Sequence, residues 1–139
     1  MSTEANKTLV LRLFDEGGKG NFAATDELLA EDFGFYFPGN PEPLGKKGWK
    51  QVYSMFLSAF PDLHYDIEDI IAEGDRVVAR ITWSGTQQRE FQGTPPTGRR
   101  VTFAGFNVNR IEGGTIVEQH AQFDALGLMQ QLGVLPAMG

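Results

Sequence analysis

The segment Ile116–Gly133, IVEQHAQFDALGLMQQLG, sets His120, Gln122 and Asp124 at alternate positions, just where a strand-like pattern gives way to a helical one. Alternate residues of a strand share a face, so an imidazole, an amide and a carboxylate would project side by side. That set suits proton transfer next to a carbonyl group. A carboxylate enclosed among apolar groups is harder to ionise and moves toward the range of a general base, while amide and imidazole donors stabilise the enolate oxygen. The competing reading is a solvated strand face, with the apolar side of the same strands packed under helices.

The positions of these residues depend on the hairpin that carries them. A tight turn at Gly113 and Gly114 would set Ile111 opposite Ile116, Asn109 opposite Glu118, Asn107 opposite His120, Gly105 opposite Gln122 and Phe103 opposite Asp124. Directly opposed residues share a face. One face then collects Phe103, Asn107, Asn109, Glu118, His120, Gln122 and Asp124, and the other collects Ala104, Phe106, Val108, Val117, Ala121 and Phe123. A slip of one residue would exchange the faces.

Before the hairpin, Leu9, Leu13, Phe14, Phe22, Leu28 and Leu29 recur at helical spacing between Thr3 and about Ala30, interrupted by EGGKGN, which predicts a pair of helices. DFGFYFPG reads as a short strand or an extended approach to a loop. WKQVYSMFLSAFPD places Trp49, Val52, Tyr53, Phe56, Leu57 and Phe60 at spacings of three and four, an amphipathic helix stopped before Pro61. LHYDIEDIIAEGDRVVARITWSGTQ predicts a hairpin turning at Glu73 and Gly74, which sets His64 opposite Trp83. ALGLMQQLGVL predicts a short closing helix. Helices first, then an antiparallel sheet of four or more strands, then one last helix indicate a single α+β domain over residues 1–139, with the helices on one face of the sheet.

Composition narrows the function. The chain has 139 residues, 41% of them hydrophobic and 22% charged, a globular balance. Its 12 Lys and Arg against 18 Asp and Glu give a net charge of −6, which argues against a nucleic-acid partner. No apolar run approaches the ~20 residues of a membrane span. The start of the chain lacks the long apolar stretch of a secretory signal, and the absence of cysteine is compatible with the cytoplasm. Two histidines and no thiol make a zinc site improbable. Lys46, Lys47 and Lys50, with Arg99 and Arg100, read as solvated clusters, and Asp66, Glu68 and Asp69 as an exposed strand edge. His64 is either a pocket donor or a partly exposed, hydrogen-bonded residue. The aromatic set that includes Phe37, Trp49 and Tyr53 reads as core, some of it forming the wall of a ligand cavity.

FPDLHYDIEDIIAEGDRVVARITWSGT and GTPPTGRRVTFAGFNVNRIEGGTIVEQHAQFDALGLMQQLG, together with the early helical segment, resemble the SnoaL-like polyketide cyclases of the nuclear transport factor 2-like (cystatin-like) superfamily. PPTGRRV, RIEGGTIVE and FDALGLMQQLG are the most specific parts. The resemblance implies a cone-shaped fold, a curved sheet and N-terminal helices enclosing a pocket, and homodimers formed through the outer sheet face. It implies that Asp124 is the acid/base of an intramolecular aldol condensation that uses no metal or organic cofactor. The chain departs from the family pattern at Gln87, where GTQ replaces GTH, at Gln119 and His120, where EQH replaces EHW, and at Arg89, where a small residue is more usual.

The sequence therefore predicts a cofactor-independent enzyme acting on a hydrophobic carbonyl compound. Asp124 and His120 are its expected catalytic residues. Gln122, Asn107, Asn109, Phe103, Trp83, His64, Phe37, Trp49 and Tyr53 are the expected substrate contacts. The alternatives are a hydrolase or hydroxylase-like member of the same fold, with His120 and Arg89 activating water or an oxygenated substrate, and a noncatalytic ligand-binding module.

Overall fold

The computed structural model describes residues 2–136. Helix α1 spans Thr3–Gly18 and begins at Ser2, whose hydroxyl accepts from Ala5 N at 3.1 Å, with Glu4 at the positive end of the helix dipole. Its Leu9, Val10, Leu13 and Phe14 are buried. The helix runs on to Gly17 and Gly18 because a third helix must close against it there. A Cβ at Gly17 would lie 3.1 Å from the Trp49 ring and 3.2 Å from Tyr53. Helix α2 (Phe22–Leu28) leads directly into strand β1 (Leu29–Tyr36), and helix α3 (Lys46–Ala59) ends ahead of Pro61 as its apolar periodicity predicts. Strands β2 (His64–Glu73), β3 (Arg76–Thr86), β4 (Arg100–Glu112) and β5 (Thr115–Phe123) precede the short helix α4 (Ala125–Gln131).

The five strands form one open, curved sheet in the order β1-β5-β4-β3-β2, in an α+β fold. Pairing is antiparallel except that β1 runs parallel to β5, so the sheet is mixed rather than purely antiparallel as expected. Residues 29–45 between α2 and α3 explain this, since the short aromatic run docks on the edge of the last strand instead of extending the meander. Phe35 exchanges backbone hydrogen bonds with Leu44 at 2.7 and 2.8 Å, which holds the return segment to β1. Among the described residues no helix is long and apolar enough to cross a membrane.

The β4–β5 hairpin does turn at Gly113 and Gly114, with φ of +56° and +81°, and Ile111 pairs with Ile116 as expected. The next pair is Arg110 with Glu118, which leaves Val117 without an opposed partner. This bulge moves the rest of β5 by one residue relative to β4, so Asn109 faces Gln119, Asn107 faces Ala121 and Gly105 faces Phe123. The expected face is correct for β4 and reversed for β5. Gln119, Ala121 and Phe123 join Phe103, Asn107 and Asn109 under the helices, while His120 and Gln122 lie with Phe106, Val108 and Arg110 on the outer face. The β2–β3 hairpin turns at Gly74 and Asp75, one residue later than expected, and its register shifts again between Ile67 and Asp69. His64 accordingly pairs with Ser84, and Tyr65 takes the place opposite Trp83.

Two apolar clusters hold the fold. One joins α1, α2, β1 and Trp49 to the inner face of the sheet, and the other gathers Phe60, Phe91, Phe103, Leu128 and Leu132 between the end of α3 and α4. Phe91 reaches the second cluster from the long connection between β3 and β4, and Gln87, fully buried, fixes that connection. Its Nε2 donates to the carbonyls of Arg89, Thr94 and Pro95 at 3.1 to 3.2 Å, and its Oε1 accepts from Thr97 N at 3.2 Å and Thr97 Oγ1 at 2.8 Å. A side chain that offers donors on one oriented nitrogen and an acceptor on the other atom is needed here. Gln87→Glu sets an oxygen against three carbonyl oxygens and should lower unfolding free energy by about 3 kcal/mol or more in denaturant titrations, whereas Gln87→Met, which only removes the bonds, should lower it by about 2 kcal/mol. Equal stability of Glu and Gln at this position would show that the amide does not hold the connection.

Candidate functional site

The inner face of the sheet and helices α1 and α3 enclose a cavity of about 70 Å³. At 10–15 Å³ for each water centre this holds roughly five waters. Its wall is almost wholly apolar and aromatic. Trp49 lies against Tyr53 with ring centroids 4.6 Å apart, Trp83 stacks on Phe103 at 5.5 Å, and Phe37 stacks on Phe123 at 5.7 Å. The last of these follows from the corrected β4–β5 register, which sets Phe123 inward, and the Trp83–Phe103 stack from the β3–β4 pairing. A second, more open cleft of about 320 Å³ lies on the far side of Trp49 between α2 and α3, edged by Lys46, Lys47 and Lys50.

A chain of amides crosses the floor of the enclosed cavity. Trp49 Nε1 donates to Gln119 Oε1 at 3.1 Å, Gln119 Nε2 donates to Asn109 Oδ1 at 2.8 Å, and Asn109 Nδ2 donates to Asn107 Oδ1 at 2.7 Å and to Val77 O at 3.3 Å. Asn109 is fully buried, and Gln119 and Asn107 are 4% and 5% exposed. The direction of the chain is not a free choice of amide orientation. An indole N–H can only donate, and a backbone carbonyl can only accept, so the two ends fix every amide between them. Asn107 Nδ2 is thereby left as the donor at the end of the chain, with no hydrogen-bond partner among the described residues. Asn107 lines the cavity, and its Nδ2 keeps some accessible surface.

The expected site residues are divided by this geometry. Asn107, Phe103, Trp83, Phe37, Trp49 and Tyr53 line the cavity, and Asn109 stands behind Asn107 within the amide chain. Gln122 borders the cavity but is exposed, its strand position belonging to the outer face. His120 is on the outer face because of the bulge, stacked on Tyr36 at 4.1 Å with its Nε2 3.0 Å from Glu118 Oε1. Asp124, expected to be enclosed beside Phe103, is exposed instead and caps α4, accepting from Gly127 N at 2.9 Å. His64 is exposed, 3.2 Å from Asp66 Oδ1. Arg89 donates to Ser58 O at 3.0 Å, and neither it nor His120 lines the cavity.

Gln119 was visible in the sequence only as a departure from the family pattern, and its sole signal was its place two residues beyond an unrecognised bulge. Gln87, another departure, serves the β3–β4 connection and not the cavity. Glu118 lies on the outer face, where Arg110 and His120 hold its carboxyl below the usual range. Among the described residues no three His, Cys, Asp or Glu side chains converge as a metal site.

Tyr53 is the one ionisable residue of the cavity wall. Burial, and secondarily the nearby Tyr65, push its hydroxyl well above the ordinary tyrosine range, so it stays protonated. The cavity can therefore hold a flat apolar ligand and polarise an acceptor oxygen, and any carboxylate that takes a proton from that ligand must reach it from the rim.

The comparisons agree with this architecture. The SnoaL-like polyketide cyclase family profile matches residues 8–132. AclR of Streptomyces galilaeus, a proposed hydroxylase, is 30% identical, with a TM-score of 0.89 over 99% of this chain and 87% of that one. IdmH of Streptomyces antibioticus, a proposed polyketide cyclase, is 31% identical, with a TM-score of 0.83 over 92% of this chain and 98% of that one. A proposed SnoaL-like polyketide cyclase from Jannaschia sp. CCS1 is 27% identical, with a TM-score of 0.88 over 96% and 95% of the two chains. Among curated proteins none matches. The inward sheet face, the helices over it and the match along nearly the whole chain lead to one assignment: the chain belongs to the SnoaL-like polyketide cyclase family.

Proposed function

We propose that the chain is a cofactor-independent enzyme that binds a hydrophobic carbonyl compound in the enclosed cavity and promotes its aldol-type ring closure. The observation that carries this reading is the unpartnered Asn107 Nδ2, a fixed donor in a largely apolar wall. A substrate oxygen docked on it gains negative charge when the neighbouring carbon loses a proton, and a fixed dipole in a dry site stabilises that charge more than water does. The enolate carbon then bonds to a second carbonyl carbon of the same molecule, and the resulting alkoxide takes a proton back, so nothing is gained or lost overall. Asp124 is the proposed proton carrier. It follows Gln122 and Phe123, both of which border the cavity, and it must release Gly127 N to act.

Hydrogen–deuterium exchange next to the carbonyl of 1-tetralone reads the proton transfer apart from ring closure. Asn107→Leu should weaken 1-tetralone binding three- to tenfold and slow exchange at saturation by about a hundredfold, as for loss of an oxyanion donor. Asp124→Asn should leave binding unchanged and slow exchange at saturation by about a hundredfold or more. Wild-type exchange in Asp124→Asn would remove it from the mechanism, and wild-type binding in Asn107→Leu would remove the carbonyl site.

The outer face is proposed to pair two copies of the chain. It presents Phe106, 52% exposed, on the same face of β4 as Val108, and Tyr36 stacked on His120. Sedimentation of the wild type should show a dimer and of Phe106→Glu a monomer; a wild-type monomer at high concentration would overturn the pairing.

A further inference from the structure

The proposed reading uses one polar group of the cavity wall, but the wall offers more. Its polar side-chain atoms fall into two sets. The Trp49 indole, both ends of the Gln119 amide and Asn107 Oδ1 are already bonded within the amide chain. Asn107 Nδ2, Trp83 Nε1 and Tyr53 Oη have no hydrogen-bond partner among the described residues, and none of the three is sealed off. Two of these can only donate, and the third is a neutral hydroxyl.

Trp83 and Tyr53 belong to different elements from Asn107. Trp83 lies on β3, directly across from Phe103 on β4, and is held there by the stack on that ring. Tyr53 projects from α3 and is held between Trp49 and the bare backbone of Gly17. The three residues thus stand on three rigid supports and line the cavity from the sheet and from its helical cover. A neutral wall whose free groups are almost all hydrogens is unfavourable to ligands that bring only hydrogens of their own, because each unmet donor loses its water without compensation.

Resting on the carbonyl-binding role of Asn107, we infer that Trp83 and Tyr53 are specificity-determining residues, and that they select a ligand carrying at least two acceptor oxygens over one carrying a single oxygen. One oxygen meets Asn107 and another meets Trp83, Tyr53 or both. The amide chain adds to this preference, since the oxygens of Gln119 and Asn107 each already accept one bond within it.

Calorimetric titration of the whole protein with tetralin, 1-tetralone and 1,4-naphthoquinone, which carry none, one and two acceptor oxygens, tests this. The wild type should bind 1-tetralone three- to tenfold more tightly than tetralin, and 1,4-naphthoquinone tighter by a similar factor again. Tyr53→Phe, which removes one atom and leaves the ring in place, and Trp83→Phe should each weaken the quinone three- to tenfold while leaving tetralin affinity within twofold. A quinone affinity unchanged in both variants, or a wild type that binds the quinone no tighter than 1-tetralone, overturns the role of Trp83 and Tyr53. A wild type that binds 1-tetralone no tighter than tetralin instead overturns the carbonyl site on which that role rests.

Discussion

The hydrogen bond from the Trp49 indole to Gln119 sets the chemistry of the cavity. A buried amide can usually turn over at modest expense if its neighbours turn with it, and a chain of amides has two such states of opposite polarity. A donor that cannot accept removes one of them. With the indole at one end and the Val77 carbonyl beside the other, Gln119, Asn109 and Asn107 are locked in sequence and the open end is a donor. The chain gains from polarisation along its length, and all its members are buried, where a half-satisfied network would be more harmful than an apolar one. The aromatic packing of α3 on α1, seated on Gly17, is what holds the indole in place.

Two glutamines show how the same side chain serves stability and chemistry differently. Gln87 meets five partners and leaves nothing over, which makes it a fastening for the β3–β4 connection and for Phe91. Gln119 meets two partners and passes a fixed orientation to a residue that faces the cavity. Both stand where the family pattern has something else, and only their hydrogen bonds distinguish them.

Much of the fold was legible in the sequence. Helical periodicity located α1, α2, α3 and α4, the Gly113–Gly114 pair located the β4–β5 hairpin and the turn near Gly74 was found to within one residue, and the face shared by Phe103, Asn107 and Asn109 on β4 followed from alternation. The face of β5 did not. Val117 is apolar and β-branched, so nothing in its type marks it as the extra residue of a bulge, and strict alternation from the turn reverses every residue after it. The attractive triplet of His120, Gln122 and Asp124 was therefore placed inside, while Gln119, adjacent to His120 in the chain, took the inner position. The parallel pairing of β1 was hidden for a similar reason, since it joins segments some ninety residues apart and leaves no local periodicity to read.

The side-chain amide signals of Asn107, Asn109 and Gln119, followed by ¹H–¹⁵N NMR during titration with 1-tetralone and, separately, with tetralin, test the account most directly. One Nδ2 proton of Asn107 should move downfield with 1-tetralone and not with tetralin, while the amide protons of Asn109 and Gln119 keep their bonded positions in both. A response at Gln119 or Asn109 with Asn107 unmoved, or the same response to both compounds, would contradict a chain whose direction is fixed by Trp49 and whose open end receives a carbonyl.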